Sequence, residues 1–159
     1  MENSDKMKKI LSFIVYKNKF LLVKGSEKDP QFKESFWYVV TGSKENIDKT
    51  LIDTVKREVK EETNLKVKDL KYLNLIFKYK SLDYLCEEYC YVSYVDSLDV
   101  VLNEESIDYC WCSKDEFLNK IKLYIKREEM NNILDSILNN KIPYEKETIY
   151  YIGAKNENS

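Results

Sequence analysis

The sequence predicts an α/β domain in which a mixed β-sheet lies between layers of helices. The order of its segments supports this class, because β-rich runs come first, one helix follows, and further strands precede the last helices. The chain has 159 residues, of which 43% are hydrophobic, and this is enough for one domain with a sizeable core. No internal repeat or low-complexity segment marks a boundary in the sequence. We therefore expect a single domain over residues 1–159.

The first half of the chain predicts three strands. Residues 9–16 and 20–24 are rich in β-branched and other apolar residues, and a short polar turn joins them. Their alternation is imperfect, as expected for strands that are covered on both faces. A polar loop over residues 25–35 precedes the third strand, at residues 36–40.

Residues 50–63 are predicted to form a helix with two different faces. Thr50 suits the N-cap position, and Asp53, three residues later, completes a variant of the capping box. At about 100° per residue, an apolar arc is formed by Ile52, Val55, Val59 and Thr63. Beside this arc, within about 100° of one another, project three carboxylates, those of Glu58, Glu61 and Glu62.

The second half predicts a long hairpin and then two helices. Residues 67–80 and 86–95 form the hairpin, an acidic loop follows, and residues 107–112 form a short strand. The C-terminal helices are expected at about residues 113–139, where Ser113 and Glu116 open the first one with a capping box.

The last helix, at about residues 124–139, has an apolar stripe made of Met130, Ile133, Leu134, Ile137 and Leu138. We expect this stripe to pack against the protein's own sheet, and a contact between two copies is the alternative. A monomer and a homodimer both remain open.

The composition excludes several kinds of chemistry. The chain has no histidine, which removes Ser-His-Asp and Cys-His catalysis, and its three glycines provide neither a P-loop nor a G-x-G-x-x-G turn. A net charge of −2, with charges of both signs mixed along the chain, argues against a nucleic-acid partner. No apolar run approaches the roughly 18 residues of a membrane span, and the N-terminus lacks a signal-peptide core. We therefore expect a cytoplasmic protein with no membrane partner.

The four cysteines form two closely spaced pairs, Cys86-x3-Cys90 and Cys110-x-Cys112. Neither pair has the two-residue gap that is usual in zinc sites, and even spacing in a strand places both side chains on one face. We expect reduced thiols in or near the core rather than a structural zinc ion.

The stripe of carboxylates predicts a site for a hard divalent cation. Like charges on one helix face repel and raise one another's pKa unless a cation lies among them. Because the stripe adjoins the apolar arc, it is expected near the packed interface, where repulsion is screened less. Oxygen ligands suit Mg²⁺ and Mn²⁺. The alternative is the solvated face of an ordinary Lys- and Glu-rich helix.

Residues 42–65 resemble the Nudix box of the Nudix hydrolases, which has the pattern G-x5-E-x7-R-E-U-x-E-E-x-G-U with U aliphatic. The second half of the pattern is matched by Arg57, Glu58, Val59, Glu61, Glu62 and Leu65. Counted back from the arginine, Ser43 stands at the first Gly and Lys49 at the first Glu, and Asn64 stands at the last Gly. Asn64 can still end the helix in the left-handed conformation. Asp48 and Asp53 are both candidates to compensate for Lys49.

The resemblance implies the Nudix fold and the attack of water on a phosphorus of a diphosphate linkage. It implies Mg²⁺ or Mn²⁺ as cofactor, held by the Ser43 backbone carbonyl and the carboxylates of Glu58, Glu61 and Glu62. A small nucleotide or a related diphosphate is the implied partner.

The implied catalytic residues are Glu61, Arg57 and Glu105. Arg57 would orient Glu58 through a charge-assisted hydrogen bond. Glu105 would supply a further carboxylate as ligand or base, with Glu104 as the second candidate. Both glutamates are equally well read as solvated loop residues.

The substrate is indicated by short matches. Phe36-Trp37 and the turn that ends at Ser43 resemble the Nudix enzymes that act on nucleoside triphosphates and dihydroneopterin triphosphate. Tyr79 lies about where diadenosine-polyphosphate enzymes carry a tyrosine. We therefore take Trp37 and Tyr79 as candidate substrate-binding residues, although packing in a half-buried sheet explains each as simply.

Two other functions remain open. The first is a Nudix-fold module that binds a nucleotide or metabolite without turnover, which Ser43 and Lys49 motivate. The second is removal of pyrophosphate from RNA 5′ ends, which would require a local basic surface.

Overall fold

The computed structural model describes residues 6–25, 36–81 and 83–153. In chain order their elements are β1 (Lys6–Tyr16), β2 (Lys19–Gly25), β3 (Trp37–Tyr38), β4 (Val40–Ser43), α1 (Leu51–Thr63), β5 (Asp69–Ser81), β6 (Tyr84–Tyr94), β7 (Ser106–Cys112), α2 (Lys114–Lys120), α3 (Arg127–Leu138) and β8 (Thr148–Tyr151).

The strands form one mixed sheet with the order β3-β2-β1-β6-β5-β8. β1 runs parallel to β6, and β5 runs parallel to β8, whereas the pairs β1–β2, β2–β3 and β5–β6 are antiparallel. β4 pairs antiparallel with the first half of β1, and β7 pairs antiparallel with β2. β1 is therefore flanked by β4 and β2 on one side and by β6 on the other.

Each face of the sheet is covered by different helices. Val55 and Val59 of α1 pack with Ile10 and Ile14 of β1 on one face. On the other face, the apolar side chains of α2 and α3 pack with those of the sheet, including Phe13, Phe20, Phe117, Ile133 and Leu134. The predicted α/β sandwich with a mixed sheet is confirmed.

The structure changes several predicted boundaries. The strand predicted at residues 36–40 is two short strands, because Trp37 and Tyr38 pair with β2 whereas Val40 onward pairs with β1. The last helix begins at Arg127 rather than near residue 124. β8 was not predicted, since its four residues pair with a strand about 70 positions earlier in the chain, a separation that local pattern does not reveal. Most of the loop predicted at 25–35 lies outside the described residues.

Two further expectations concern the cysteines, expected in or near the core, and the absence of a membrane span. Cys86, Cys90 and Cys112 are buried, Cys110 is half-buried, and none of the four is in a disulfide bond. None of the helices in the described segments has the length and apolar character needed to cross a bilayer.

Candidate active site

Helix α1 is fixed at both ends by its own residues. The Thr50 hydroxyl accepts a hydrogen bond from the Asp53 amide at 3.2 Å, and the Asp53 carboxylate accepts one from the Thr50 amide at the same distance. At the other end Asn64 adopts the left-handed conformation, with φ of 63°, and its amide donates to the Lys60 carbonyl. The predicted capping box and helix end are both present. Because Val55 and Val59 are fully buried, the rotation of α1 is set, and the carboxylate stripe turns toward β4.

An ion pair between Asp48 and Arg57 organises the loop before α1. Arg57 Nε donates to Asp48 Oδ1 at 2.9 Å and Nη2 donates to Oδ2 at 2.7 Å. Asp48 also accepts from the Thr54 hydroxyl at 3.0 Å and from the Glu45 amide at 3.0 Å, and it is 4% exposed. The hydrogen bonds from Arg57 hold the pKa of Asp48 well below its usual value, so this carboxylate stays ionised.

The same guanidinium reaches the candidate ligand residues. Arg57 Nη2 donates to the Ser43 carbonyl at 3.0 Å, and Nη1 donates to Glu58 Oε2 at 3.3 Å and to Glu61 Oε1 at 3.2 Å. Arg57 therefore links the turn after β4, the loop and two carboxylates of α1. Asp53, the other candidate to compensate for Lys49, instead caps the helix.

Gly42 allows the closest contact between β4 and α1. A Cβ atom at this position would lie 2.1 Å from the Cδ and Oε2 atoms of Glu58. Any side chain here would therefore displace the Glu58 carboxylate. The requirement for glycine comes from this close approach, since no glycine in the described residues has a positive φ.

Glu58 and Glu62 form a carboxylate pair that is poorly solvated. The pKa of Glu62 is raised to about 10, chiefly by burial and then by the hydrogen bond and charge of Glu58 and the charges of Glu105 and Glu61. Burial also raises the pKa of Glu58. Glu62 Oε2 is buried and has no hydrogen-bond partner. An unsatisfied carboxylate oxygen next to a second carboxylate is costly, and a cation would satisfy both.

The predicted ligand residues are not all arranged around one point. Glu61 is about half exposed and contacts Arg57, whereas Glu58 and Glu62 contact each other. Accordingly, no three acidic or thiol side chains of residues 6–25, 36–81 and 83–153 are arranged to hold a metal ion as they stand. The donor set still fits a hard divalent cation, because the orphaned Glu62 oxygen and the Glu58 carboxylate are oxygen ligands of the type that Mg²⁺ prefers. A bound cation would displace the proton that the raised pKa of Glu62 retains at neutral pH.

Glu105 lies close enough to act on this pair, although it is far away in sequence. Its charge contributes to the raised pKa values of both Glu58 and Glu62. It is exposed at the end of the loop before β7, where its amide donates to Asn103 Oδ1 at 3.0 Å. Glu104 is also exposed.

The two candidate substrate-binding aromatics lie apart from the carboxylates. Tyr79 is 5% exposed, and its hydroxyl donates to Glu88 Oε2 at 3.0 Å on the face of the sheet that α2 and α3 cover. Trp37 packs against the same cluster, and the Lys120 ammonium lies 5.2 Å from the centroid of its ring. The structure does not bring either side chain into the group formed by Glu58, Glu62 and Arg57.

The geometry gives a new alignment for the first half of the box. Gly42 and Asp48 are separated by five residues, as Gly and Glu are in the pattern, and one extra residue lies between Asp48 and Arg57. Gly42 contacts Glu58, and Asp48 binds Arg57. Each of these two residues lies one position before the residue, Ser43 or Lys49, that the ungapped alignment assigns to the pattern. The signal was available in the sequence as the G-x5-D spacing, but counting back from Arg57 without a gap concealed it.

Comparison with known proteins identifies the family and the fold of the chain. The family model described as NUDIX domain matches residues 8–134. A NUDIX hydrolase from Nitrosomonas europaea aligns with a TM-score of 0.72 and 18% identity, covering 96% of this chain and 81% of the other. A MutT protein from Methanosarcina mazei Go1 aligns with a TM-score of 0.66 and 23% identity, covering 86% of this chain and 98% of the other.

A third similar structure was solved with a bound ligand. The NUDIX domain of Shewanella oneidensis NrtR, complexed with ADP ribose, aligns with a TM-score of 0.66 and 14% identity, covering 85% of this chain and 88% of the other. No curated protein matches the sequence at a significant level.

The chain belongs to the NUDIX domain family, since the match covers most of its length. The prediction of a Nudix hydrolase is confirmed at the level of the family, and the predicted Nudix fold is confirmed with it.

Proposed function

We propose that the protein is a Mg²⁺- or Mn²⁺-dependent hydrolase that cleaves a diphosphate linkage in a nucleoside triphosphate or in a nucleoside diphosphate joined to another group. The observation that carries this proposal is the carboxylate pair of half-buried Glu58 and buried Glu62, with one Glu62 oxygen left without a partner. The ionised form of a carboxylate pair in such a poorly solvated place would be stabilised by a divalent cation.

The residues that would hold the cation are Glu58, Glu61 and Glu62, together with the Ser43 carbonyl. When bound, the cation would neutralise phosphate charge and lower the pKa of a coordinated water molecule. Glu61 can join the other two carboxylates by giving up its hydrogen bond with Arg57. Loss of this bond costs little, because both groups contact solvent.

The remaining residues have supporting tasks. Arg57 holds the Ser43 carbonyl and Glu58 in fixed positions, and Asp48 fixes Arg57. Glu105 is exposed and lies near the carboxylate pair, so it is the proposed base for the attacking water. Trp37 and Tyr79 remain candidate contacts for the substrate.

The substrate class is supported by the family and by the ligand of one neighbour. The NrtR domain is complexed with ADP ribose, which contains a diphosphate between two larger groups. Nucleotides of this kind and nucleoside triphosphates form the first panel to assay. We also propose a cytoplasmic location, which Cys110 and Cys112 support, since their sulfur atoms lie 3.3 Å apart without forming a disulfide bond.

The test is product formation from this panel with Mg²⁺, with Mn²⁺ and with a chelator. We expect turnover that requires the cation and that falls at least about a hundredfold in Glu62→Gln. Asp115→Asn, an acidic residue in the first turn of α2, is the matched control and should retain activity. Wild-type activity that persists in the chelator would refute the proposal.

The second candidate function is a module that binds a nucleotide without hydrolysing it. The specific observation in its favour is the contact of Glu61 with Arg57, which leaves the three glutamates without a common centre. It predicts heat of nucleotide binding in calorimetry with no product after long incubation. Turnover above background in the assay excludes it.

A further inference from the structure

A second charged surface lies on the opposite flank of α1. Gly42 of β4 contacts Glu58, so the carboxylate flank faces β4. β6 lies on the other side of β1 from β4. At about 100° per residue, Lys56 and Lys60 project from the flank that is turned toward β6, and both are exposed.

The face of the sheet beside this flank, here called the floor, carries two rows of lysines. Lys6 and Lys8 follow each other on one face of β1, and Lys78 and Lys80 do so on β5, so the rows run on either side of β6. Two positions along a strand span about 6.6 Å. Between the rows Glu87 lies 3.3 Å from Lys6 Nζ and 3.4 Å from Lys78 Nζ. Glu147 also lies near this surface, where it accepts a hydrogen bond from the Tyr72 hydroxyl, so the four lysines still exceed the two carboxylates.

Aromatic rings accompany these lysines. The half-buried ring of Tyr89 lies 5.8 Å from Lys8 Nζ and 6.2 Å from the ring of Tyr72. At the far end Tyr151 is 79% exposed. It borders a cavity of about 370 Å³ that is also lined by Lys6, Lys78 and other residues of β5 and β6. The surface therefore combines ammonium groups with apolar ring faces.

We propose that this surface, made of Lys6, Lys8, Lys56, Lys60, Lys78 and Lys80 around Tyr89 and Tyr151, binds single-stranded nucleic acid outside the hydrolytic site. The lysines neutralise backbone phosphates, and bases stack on the tyrosine rings. The net charge of −2 conceals this surface, because it averages the lysines with carboxylates that lie elsewhere, such as those on the other flank of α1.

Charge also decides between the possible occupants. A second copy of the chain, related by a twofold axis, would place lysines opposite lysines, and this is unfavourable. A nucleic-acid strand has a negatively charged phosphate at every nucleotide, and its bases can stack on the exposed tyrosine rings. The proposal is independent of hydrolysis, because none of the six lysines belongs to the proposed catalytic group.

The test is fluorescence anisotropy with a labelled oligouridylate of about 12 nucleotides, a length within the range that one such surface covers. Lys56→Glu/Lys80→Glu is the variant, because neither side chain contacts Glu87. Lys19→Glu/Lys126→Glu is the matched control, since it makes the same charge change at exposed positions at the start of β2 and just before α3. Circular dichroism establishes that both variants are folded.

We expect about tenfold weaker binding in the first variant and a salt dependence reduced by about one unit of slope per lysine. The control variant should bind like the wild type, and hydrolysis of a mononucleotide should be unchanged in both. Tyr151→Ala should weaken binding of the oligonucleotide but leave that of inorganic polyphosphate unchanged.

Three outcomes would overturn the proposal. The first is no binding by the wild type at low salt, and the second is equal loss in the two double variants. The third is a wild-type dimer in light scattering that Lys56→Glu/Lys80→Glu dissociates, which would assign the surface to a second copy. None of these outcomes affects the test of hydrolysis.

Discussion

The Asp48–Arg57 pair is expected to carry much of the stability of the loop before α1. Asp48→Asn keeps the size of the side chain but removes the charge that binds Arg57 at 2.7 and 2.9 Å. Removing one partner of a buried ion pair costs about 3–5 kcal/mol. Arg57 is 16% exposed and keeps its contacts with Glu58 and Glu61, so we expect about 3 kcal/mol, near the lower end of this range. Urea unfolding of the metal-free protein near neutral pH measures this loss.

The same substitution should change the response to acid. Since Arg57 lowers the pKa of Asp48 from its usual 3.8, ionised Asp48 stabilises the fold above about pH 4, and this contribution is lost as the pH falls further. The free energy of unfolding should therefore decline more steeply below about pH 4 in the wild type than in Asp48→Asn.

Two controls separate this pair from a general effect of acidic residues. Asp53→Asn alters a helix cap and should cost about 1 kcal/mol. The double variant Asp48→Asn/Lys49→Glu places an acid at residue 49, the position that the box pattern assigns to Glu when it is aligned without a gap. It should not recover the lost stability, because residue 49 is exposed and precedes the N-cap. Recovery in this double variant, or a loss of less than about 1 kcal/mol in Asp48→Asn, would refute the reasoning.

Three further predictions concern α1 and the turn that it contacts. In the presence of a chelator, Glu62→Gln should stabilise the protein by up to about 3 kcal/mol at neutral pH. The folded protein raises the pKa of Glu62 to about 10, so the wild type is most stable below about pH 4.5 and loses stability as the pH rises toward 10. Glutamine does not titrate and avoids this loss. Melting temperatures from about pH 5 to 8 test this, and parallel profiles for variant and wild type would contradict it. Gly42→Ala should lower activity about a hundredfold by displacing Glu58, whereas Gly25→Ala, which meets nothing within 4 Å, should not; equal rates in the two variants would oppose the prediction. Thr50→Ala should cost about 1 kcal/mol in urea unfolding, and no change in midpoint would show that the cap is dispensable.

The sequence predicts best the features that depend on neighbouring residues. The helix predicted at 50–63 is found at Leu51–Thr63 because its caps and its apolar arc lie within one short segment. The hairpin of β5 and β6 is likewise local. β8 and the division at Val39 depend instead on which distant strand each residue pairs with, and neither the period nor the composition of a segment records that choice.

The site shows the same limit at the scale of single contacts. Spacing along α1 placed three glutamates on one stripe, but it could not show that Glu61 contacts Arg57 while Glu58 and Glu62 contact each other. Nor could it show the proximity of Glu105, since this depends on how the loop before β7 folds over α1. Net charge, as an average over the chain, could not reveal where the lysines gather.

The loop between β4 and α1 shows that the contacts of a motif can be kept when the spacing of its residues changes. The chemistry requires a residue without a side chain against Glu58 and an acid against Arg57, and it does not require fixed sequence positions. One additional residue between Asp48 and Arg57 is absorbed before the helix starts, where Lys49 and the N-cap Thr50 are exposed and direct their amides to Asp53. A loop accommodates such an insertion, whereas the same insertion within α1 would rotate the glutamates by about 100° and remove them from β4. The apparent departures at Ser43 and Lys49 are therefore consequences of one insertion, placed where the fold tolerates it, and they give no reason by themselves to infer a loss of activity.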